Sequence, residues 1–198
     1  MAIPVERRLE IVTQQIVRAK LFYDIWWLYK GSETRPHIID TLNDFSEFFR
    51  FDEHAHFVSM VIHCAAIWDK RRGNVSLPGV ANCILDPRGK TEDKALDDAI
   101  SGYAKAAQGL VKLRHEAIAH RSAEFDYSEA FTRAAVTPDS IPTMLGEWLN
   151  VANQLRKRRN MVDVTFAEVP LQDAQRVIHA LGGPDLRPAN PLDELFGS

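Results

Sequence analysis

Apolar residues recur every three or four positions along most of the chain, the spacing of one face of a helix. Val5, Leu9, Val12, Ile16, Ala19, Tyr23 and Trp26 form the first such stripe, which predicts a long helix over residues 5–30. In its second half Leu21, Phe22, Ile25, Trp27 and Leu28 join them. Apolar side chains then nearly encircle the helix, so its end must be buried on several sides. Gly31 stops it. A second stripe, Ile38, Leu42, Phe45 and Phe49, follows Pro36, a residue tolerated in a first helical turn. Phe57, Met60, Val61, Cys64 and Trp68 carry the period on to about Asp69. No Gly or Pro interrupts residues 37–72, and a kink is expected near Arg50–Glu53. Arg71-Arg72-Gly73-Asn74 reads as a turn, and Ser76-Leu77-Pro78 as the capped opening of a short helix.

A third long helix is expected from about Thr91, its cap, to Arg121. Glu92, Asp93, Asp97 and Asp98 crowd its first turns, and Lys105, Lys112, Arg114 and Arg121 lie later, a polarity that complements the helix dipole. Gly102 and Gly109 share a face that a neighbouring helix can approach closely. A fourth helix, from Pro138 or Pro142 to Arg159, turns Ile141, Leu145, Trp148, Ala152 and Leu155 inward. A short helix, Leu171 to Leu181, precedes a tail rich in Gly and Pro. Strand alternation is nowhere sustained, although Val162–Val169 has the length to pair briefly. The expected class is all-α: an up-and-down four-helix bundle with short extra helices and a flexible C-terminal tail. Residues 1–165 would form the helical domain and 166–198 the short helix and tail.

Composition narrows the setting. A chain of 198 residues, 45% hydrophobic and 26% charged, suits one globular domain and argues against disorder. Its net charge of −3 excludes a protein that coats nucleic acid without specificity, since that needs a broad basic excess. Cys64 and Cys83 are too few for a disulfide scaffold and fit a reduced cytoplasmic chain. The first residues lack the apolar core of a signal peptide. The stretch Leu21 to Tyr29 contains Asp24 and is far shorter than a membrane span, so no membrane association is expected.

The densest set of reactive side chains is Lys112-Leu113-Arg114-His115-Glu116-Ala117-Ile118-Ala119-His120-Arg121. Arg114 offers a planar fork of donors suited to phosphate and stays charged at any working pH. His120 titrates near neutrality, so it can take a proton from a hydroxyl and later return one. RNA cleavage by internal attack of the 2′-hydroxyl needs that base, and a cation for the charge that builds on phosphorus oxygens. No metal or other cofactor enters that scheme. Geometry adds a constraint: at about 100° per residue, His120 lies roughly 120° around the axis from Arg114. It falls on the Leu110/Leu113/Ala117 stripe, whereas Arg114 falls on the Val111/Ile118/Arg121 stripe. Either the helix breaks between them or a twofold dimer brings two copies of both into one cleft. The structural alternative is a core histidine bonded to a carbonyl, with Arg114 paired to Glu116 or an acid elsewhere.

An Arg, a polar residue and then a His late in a long helix of an all-α domain resembles the HEPN superfamily. Here five residues separate Arg114 from His120. The aromatic first helix (Phe22-Tyr-Asp-Ile-Trp-Trp-Leu-Tyr29) and Asp69-Lys70 followed by Val75-Ser76-Leu77-Pro78 are similar to the abortive-infection (AbiU-type) branch. That resemblance covers about residues 10–160. It implies a metal-independent endoribonuclease of phage defence or toxin–antitoxin type, cutting tRNA or mRNA. The enzyme would be a homodimer with both motif copies at the twofold interface. Products would carry a 2′,3′-cyclic phosphate and a 5′-hydroxyl. His120 would be the acid/base, Arg114 the phosphate stabiliser, His115 the residue that orients Arg114 or touches substrate, and Arg121 an RNA contact. An antitoxin or other partner protein is compatible with this. Some HEPN toxins carry a modifiable Tyr two residues after the His; Ser122 stands there, so that control is not expected. The alternative is a non-catalytic HEPN-like helical dimer that acts as a protein-interaction module.

Two further clusters enter the reading. Glu53-His54-Ala55-His56 with His63 and Cys64 holds metal-ligand residue types, but His56 and His63 are about 10 Å apart in helical rise, too far for one zinc ion. No metal site is expected. Arg156-Lys157-Arg158-Arg159 is expected to complement a helix dipole and face solvent; with Arg71-Arg72 it would supply outlying phosphate contacts to RNA.

Overall fold

The computed structural model describes residues 3–69, 71, 74–85, 91–119, 126–184 and 186, with backbone alone at 91–92 and 116–119. Among the described residues there are nine helices and no strand, the all-α class that the periodicity predicts. In order they are α1 Val5–Lys30, α2 Arg35–Asp44, α3 Ser46–Trp68, α4 Leu77–Ile84 and α5 Thr91–Gly102. They continue as α6 Ala104–Ala119, α7 Tyr127–Ala134, α8 Ser140–Lys157 and α9 Val169–Ala180. The long helices carry the architecture: α1 packs on α3 and α8, and α3 packs on α6.

The encircling apolar residues of α1 explain its central place. Leu9, Val12, Ile16 and Ala19 are wholly buried, and Trp26 meets the rings of Tyr23, Trp27, Phe57, Tyr127 and Phe131. Gly31 ends α1 with an ordinary φ of −60°, so no left-handed turn is needed. Its reason is space: a Cβ there would lie 2.8 Å from the Trp27 carbonyl oxygen and from the indole Nε1. A second, smaller cluster gathers Leu28, Tyr29, Ile38, Leu42, Phe49 and Ile178 where the end of α1 meets α2, α3 and α9.

Three expectations are corrected. The break between α2 and α3 falls at Phe45 (φ −120°, ψ 40°), not at Arg50–Glu53. Asn43, Asp44 and Ser46 surround it, residues whose short polar side chains compete with helical hydrogen bonds. Phe45 itself is 42% exposed and not part of the buried stripe. The expected single helix from 91 to 121 is divided at Tyr103, next to the Ser101-Gly102 pair, a usual site of kinking. Gly102 meets no neighbour within 4 Å; Gly109 is the one that admits close approach, since a Cβ would fall 2.5 Å from Val136 Cγ2 and 2.6 Å from the Ala134 oxygen. Finally, α7 has no counterpart in the sequence reading. Asp126 caps its start, accepting from the Glu129 amide at 3.2 Å, and Ala135 ends it in the left-handed region at φ 54°.

Elsewhere the local signals hold. Ser76 Oγ accepts from the Gly79 amide and opens α4, an arrangement worth about 1 kcal/mol. The stretch from Val162 pairs with no strand. Its ladder is replaced by the Asn153 side chain, which donates to the Val164 carbonyl at 2.9 Å and accepts from the Val164 amide at 3.0 Å.

Candidate functional site

The later half of α6 carries the motif. Leu110 and Leu113 are wholly buried against α3 and fix the helix rotation. Arg114, the next residue round, is only 17% exposed and reaches the end of α3. There Asp69 receives its Nη1 at 3.8 Å. His115 is exposed, and its Nε2 lies 3.4 Å from Arg114 Nη2. The acid that partners Arg114 thus lies on another helix; sequence reading left it unnamed, although Asp69 stood among the residues of the resemblance.

Asp69 serves two guanidiniums. Its carboxylate accepts from the Arg71 amide at 3.1 Å and from Arg71 Nε at 2.8 and 2.9 Å, with Nη2 closing the fork. These bonds to Arg71 and, less, the charge of Arg114 hold the carboxyl well below its ordinary value, at about 2, against the opposing effect of burial. Among the described residues, two cations meet one anion in this cluster. Arg114, the looser partner, keeps donors for an anion. Chemically, this is a positioned guanidinium beside an imidazole edge, suited to a phosphodiester oxygen. His120 and Arg121 lie outside the described residues; α6 runs unbroken from Arg114 to Ala119.

A small cavity of about 130 Å³ is lined by Trp68, Ala104, Ala107, Gln108 and Val111 and includes neither Arg114 nor His115. Larger clefts lie elsewhere: one of about 840 Å³ among Trp26, Trp27, Tyr127 and Phe131, and one of about 1180 Å³ at the α2–α3 junction. Neither includes Arg114 or His115.

The other clusters are engaged within the chain. Glu53 pairs with Lys30 at 2.9 Å, and His56 Nδ1 meets the Asp52 carbonyl at 2.8 Å. His63 stacks on Phe22 and bonds Gln15, and burial holds its pKa below the ordinary value. Burial pushes the Cys64 thiol up to about 12. Among the described residues no group of three His, Cys, Asp or Glu is placed to hold a metal, and no helix is long and apolar enough to cross a membrane. In the basic run that ends α8, Lys157, Arg158 and Arg159 are exposed as expected, and Arg156 alone departs from the solvent-facing expectation. Arg156 is buried and donates to the Val162 carbonyl at 2.8 Å; Lys157 pairs with Asp163, Arg158 with Asp93, and Arg159 with Glu6. These cations tie α8 to α1, to α5 and to the segment after it. Arg71 is likewise committed to Asp69.

A family model described as AbiU2, of HEPN type, matches residues 3–159, from before α1 to just past α8. No curated protein and no solved structure matches the chain. The match takes in Asp69, Arg114, His115 and His120 together with every long helix that positions them. The chain belongs to the AbiU2 family of HEPN domains.

Proposed function

We propose that this protein is an endoribonuclease of abortive-infection type, with a composite Arg/His site between two copies of the chain. The carrying observation is Arg114: a guanidinium oriented by Asp69 from the end of a second helix, flanked by His115, six residues before His120 in a HEPN domain. In the reaction His120 takes the proton from the ribose 2′-hydroxyl as that oxygen attacks phosphorus. Arg114 holds the charge that grows on the nonbridging oxygens. A protonated imidazole then returns a proton to the departing 5′-oxygen, leaving a 2′,3′-cyclic phosphate and a 5′-hydroxyl. His115 steadies the guanidinium, and Arg121 supplies a further contact to the RNA backbone.

The test is cleavage of single-stranded RNA in EDTA. Wild type cuts, and Arg114→Ala and His120→Ala, matched to it in thermal stability, do not; full activity in His120→Ala overturns the mechanism. Mixing the two inactive variants adds a second readout. If each site takes Arg114 from one chain and His120 from the other, half of the exchanged dimers regain one of two sites, about a quarter of wild-type activity. One observation favours the non-catalytic module instead: an arginine 17% exposed and paired to a carboxylate also serves structure. Growth arrest that depends on His120 decides for the enzyme, and arrest indifferent to it decides for the module.

A further inference from the structure

Along α3, Phe48, Phe51, Ala55, Val58 and Ile62 follow one another at steps of three, four, three and four. This is the heptad spacing by which a helix lays a narrow apolar seam against another helix. At about 100° per residue the five fall within roughly 80° around the axis. The other faces of α3 are spent inside the chain, where Phe49, Phe57, Met60, Val61 and Cys64 are buried. The seam is open: Phe48 is 59% exposed, Phe51 78% and Ile62 41%, with Ala55 exposed and Val58 half-buried. Phe45, at the start of the helix, extends it.

A lone chain gains nothing by holding two phenylalanines in water on a regular seam. Counting a whole aromatic side chain at about 150–250 Å², the four large residues leave roughly 400 Å² of apolar surface open. Two such faces set together bury on the order of 800 Å². The stems of exposed Glu47 and Arg50 beside them bring the total toward the ~1,200 Å² at which specific interfaces begin. The heptad matches a partner that carries the same period, and the chain itself supplies one. We propose that α3 pairs with α3 of a second copy of this chain along the 48–62 seam. Ala55 stands at the midpoint. A twofold axis there sets it opposite its own copy whether the helices run parallel or antiparallel, and its small side chain lets the two backbones come close.

This contact is independent of the nuclease reading and separate from Arg114. Phe51 and Trp68, the residue before Asp69, are 17 residues apart along α3, about 26 Å of helical rise. A chain that uses both contacts assembles beyond a dimer.

Sedimentation of the full chain tests it, comparing wild type with the Phe48→Ser/Phe51→Glu variant at equal concentration. The variant is expected at half the wild-type mass, with helix content kept because both side chains are exposed. The halving reports on the seam, and the mass that remains reports on pairing at Arg114, so failure of one reading is distinguishable from failure of the other. In a Cys83→Ser background, Ala55→Cys is expected to form an inter-chain disulfide on mild oxidation. Equal masses, or an assembled Ala55→Cys chain that does not cross-link, overturn the proposal. So does a wild type that assembles only after residues 187–198 are removed, which would make the chain's own C-terminal segment the occupant. A monomeric wild type that gains mass only with another protein overturns it in favour of a foreign partner.

Discussion

Asp69→Asn removes one charge while keeping the side-chain shape, and so isolates the electrostatics of the Arg114 cluster. Arg71, the closer partner, is 70% exposed, and water screens that pair. Arg114 and Asp69 are 17% and 9% exposed, and at 3.8 Å their attraction is about 4 kcal/mol at an effective dielectric of about 20. Desolvation of both groups offsets most of that. A net loss of about 1–2 kcal/mol at neutral pH is expected, and for a chain of this size a fall in Tm of roughly 2–8 °C. The dependence on pH has a definite sign. The folded-state value near 2 lies below the unfolded value near 3.8, so the stabilisation is whole above the unfolded value and is lost as pH falls toward the folded one. Urea unfolding followed by tryptophan fluorescence at pH 7, 5, 4 and 3 measures the gap between wild type and variant. It should be constant from pH 7 to 5 and begin to shrink below 4. A gap missing at pH 7, or one that widens on acidification, refutes the assignment of Asp69 as the anion of the cluster.

Gly109→Ala sets two effects against each other. The helix gains about 1 kcal/mol in propensity, but the new Cβ meets the Ala134 oxygen at 2.6 Å, and backbone there yields only at a cost of about 1–3 kcal/mol. Net destabilisation is expected on thermal melting. Ala135→Gly should do the reverse, raising stability by about 0.5–1 kcal/mol, because the left-handed φ of 54° strains any residue with a Cβ. Asn153→Ala removes both hydrogen bonds that hold Val164 and should cost about 2 kcal/mol, with faster amide exchange at Val164 as its local signature.

Much of this fold was legible because burial and periodicity coincide. The stripe of α1 and the inward residues of α8 are the ones that the structure buries, from Leu9 to Trp148. Failures arose where a period runs on across a break. Phe45 continues the spacing from Leu42, yet the backbone turns there and leaves its ring half in water. Helix α7 was hidden for another reason: its apolar set is Ala130, Phe131 and Ala134, and it stops on Ala135 where a glycine would have marked the end. The ion pairs of Arg158 and Arg159 in the basic run after Leu155 went unread because their partners are remote. Glu6 and Asp93 are brought to Arg159 and Arg158 only by the packing of α1 and α5 on α8. Local spacing carries no information about such pairs. Asp69 belongs to the same class, since nothing at position 69 announces the guanidinium of residue 114.

The site poses a stricter geometric demand than the fold. One proposed escape from the angular offset between Arg114 and His120 was a break in the helix, and α6 is continuous through Ala119. Arg114 leaves the helix toward Asp69, while Leu110 and Leu113, the stripe on which a regular helix would place residue 120, are wholly buried. A helix carried one residue past Ala119 would therefore aim an imidazole at the core of its own chain, away from the guanidinium. Convergence within one chain requires the backbone to depart from the helical path at residue 120 itself. Convergence between two chains requires the same departure, since an imidazole in its own core reaches no partner, and in addition an Arg114 near a twofold axis, within reach of its partner's motif. In the first case a mixture of Arg114→Ala and His120→Ala chains stays inactive, because every chain lacks half of its own site. In the second, activity returns. An arginine set about 120° from position 120 on a regular helix thus makes restoration by mixing the outcome that a shared site demands.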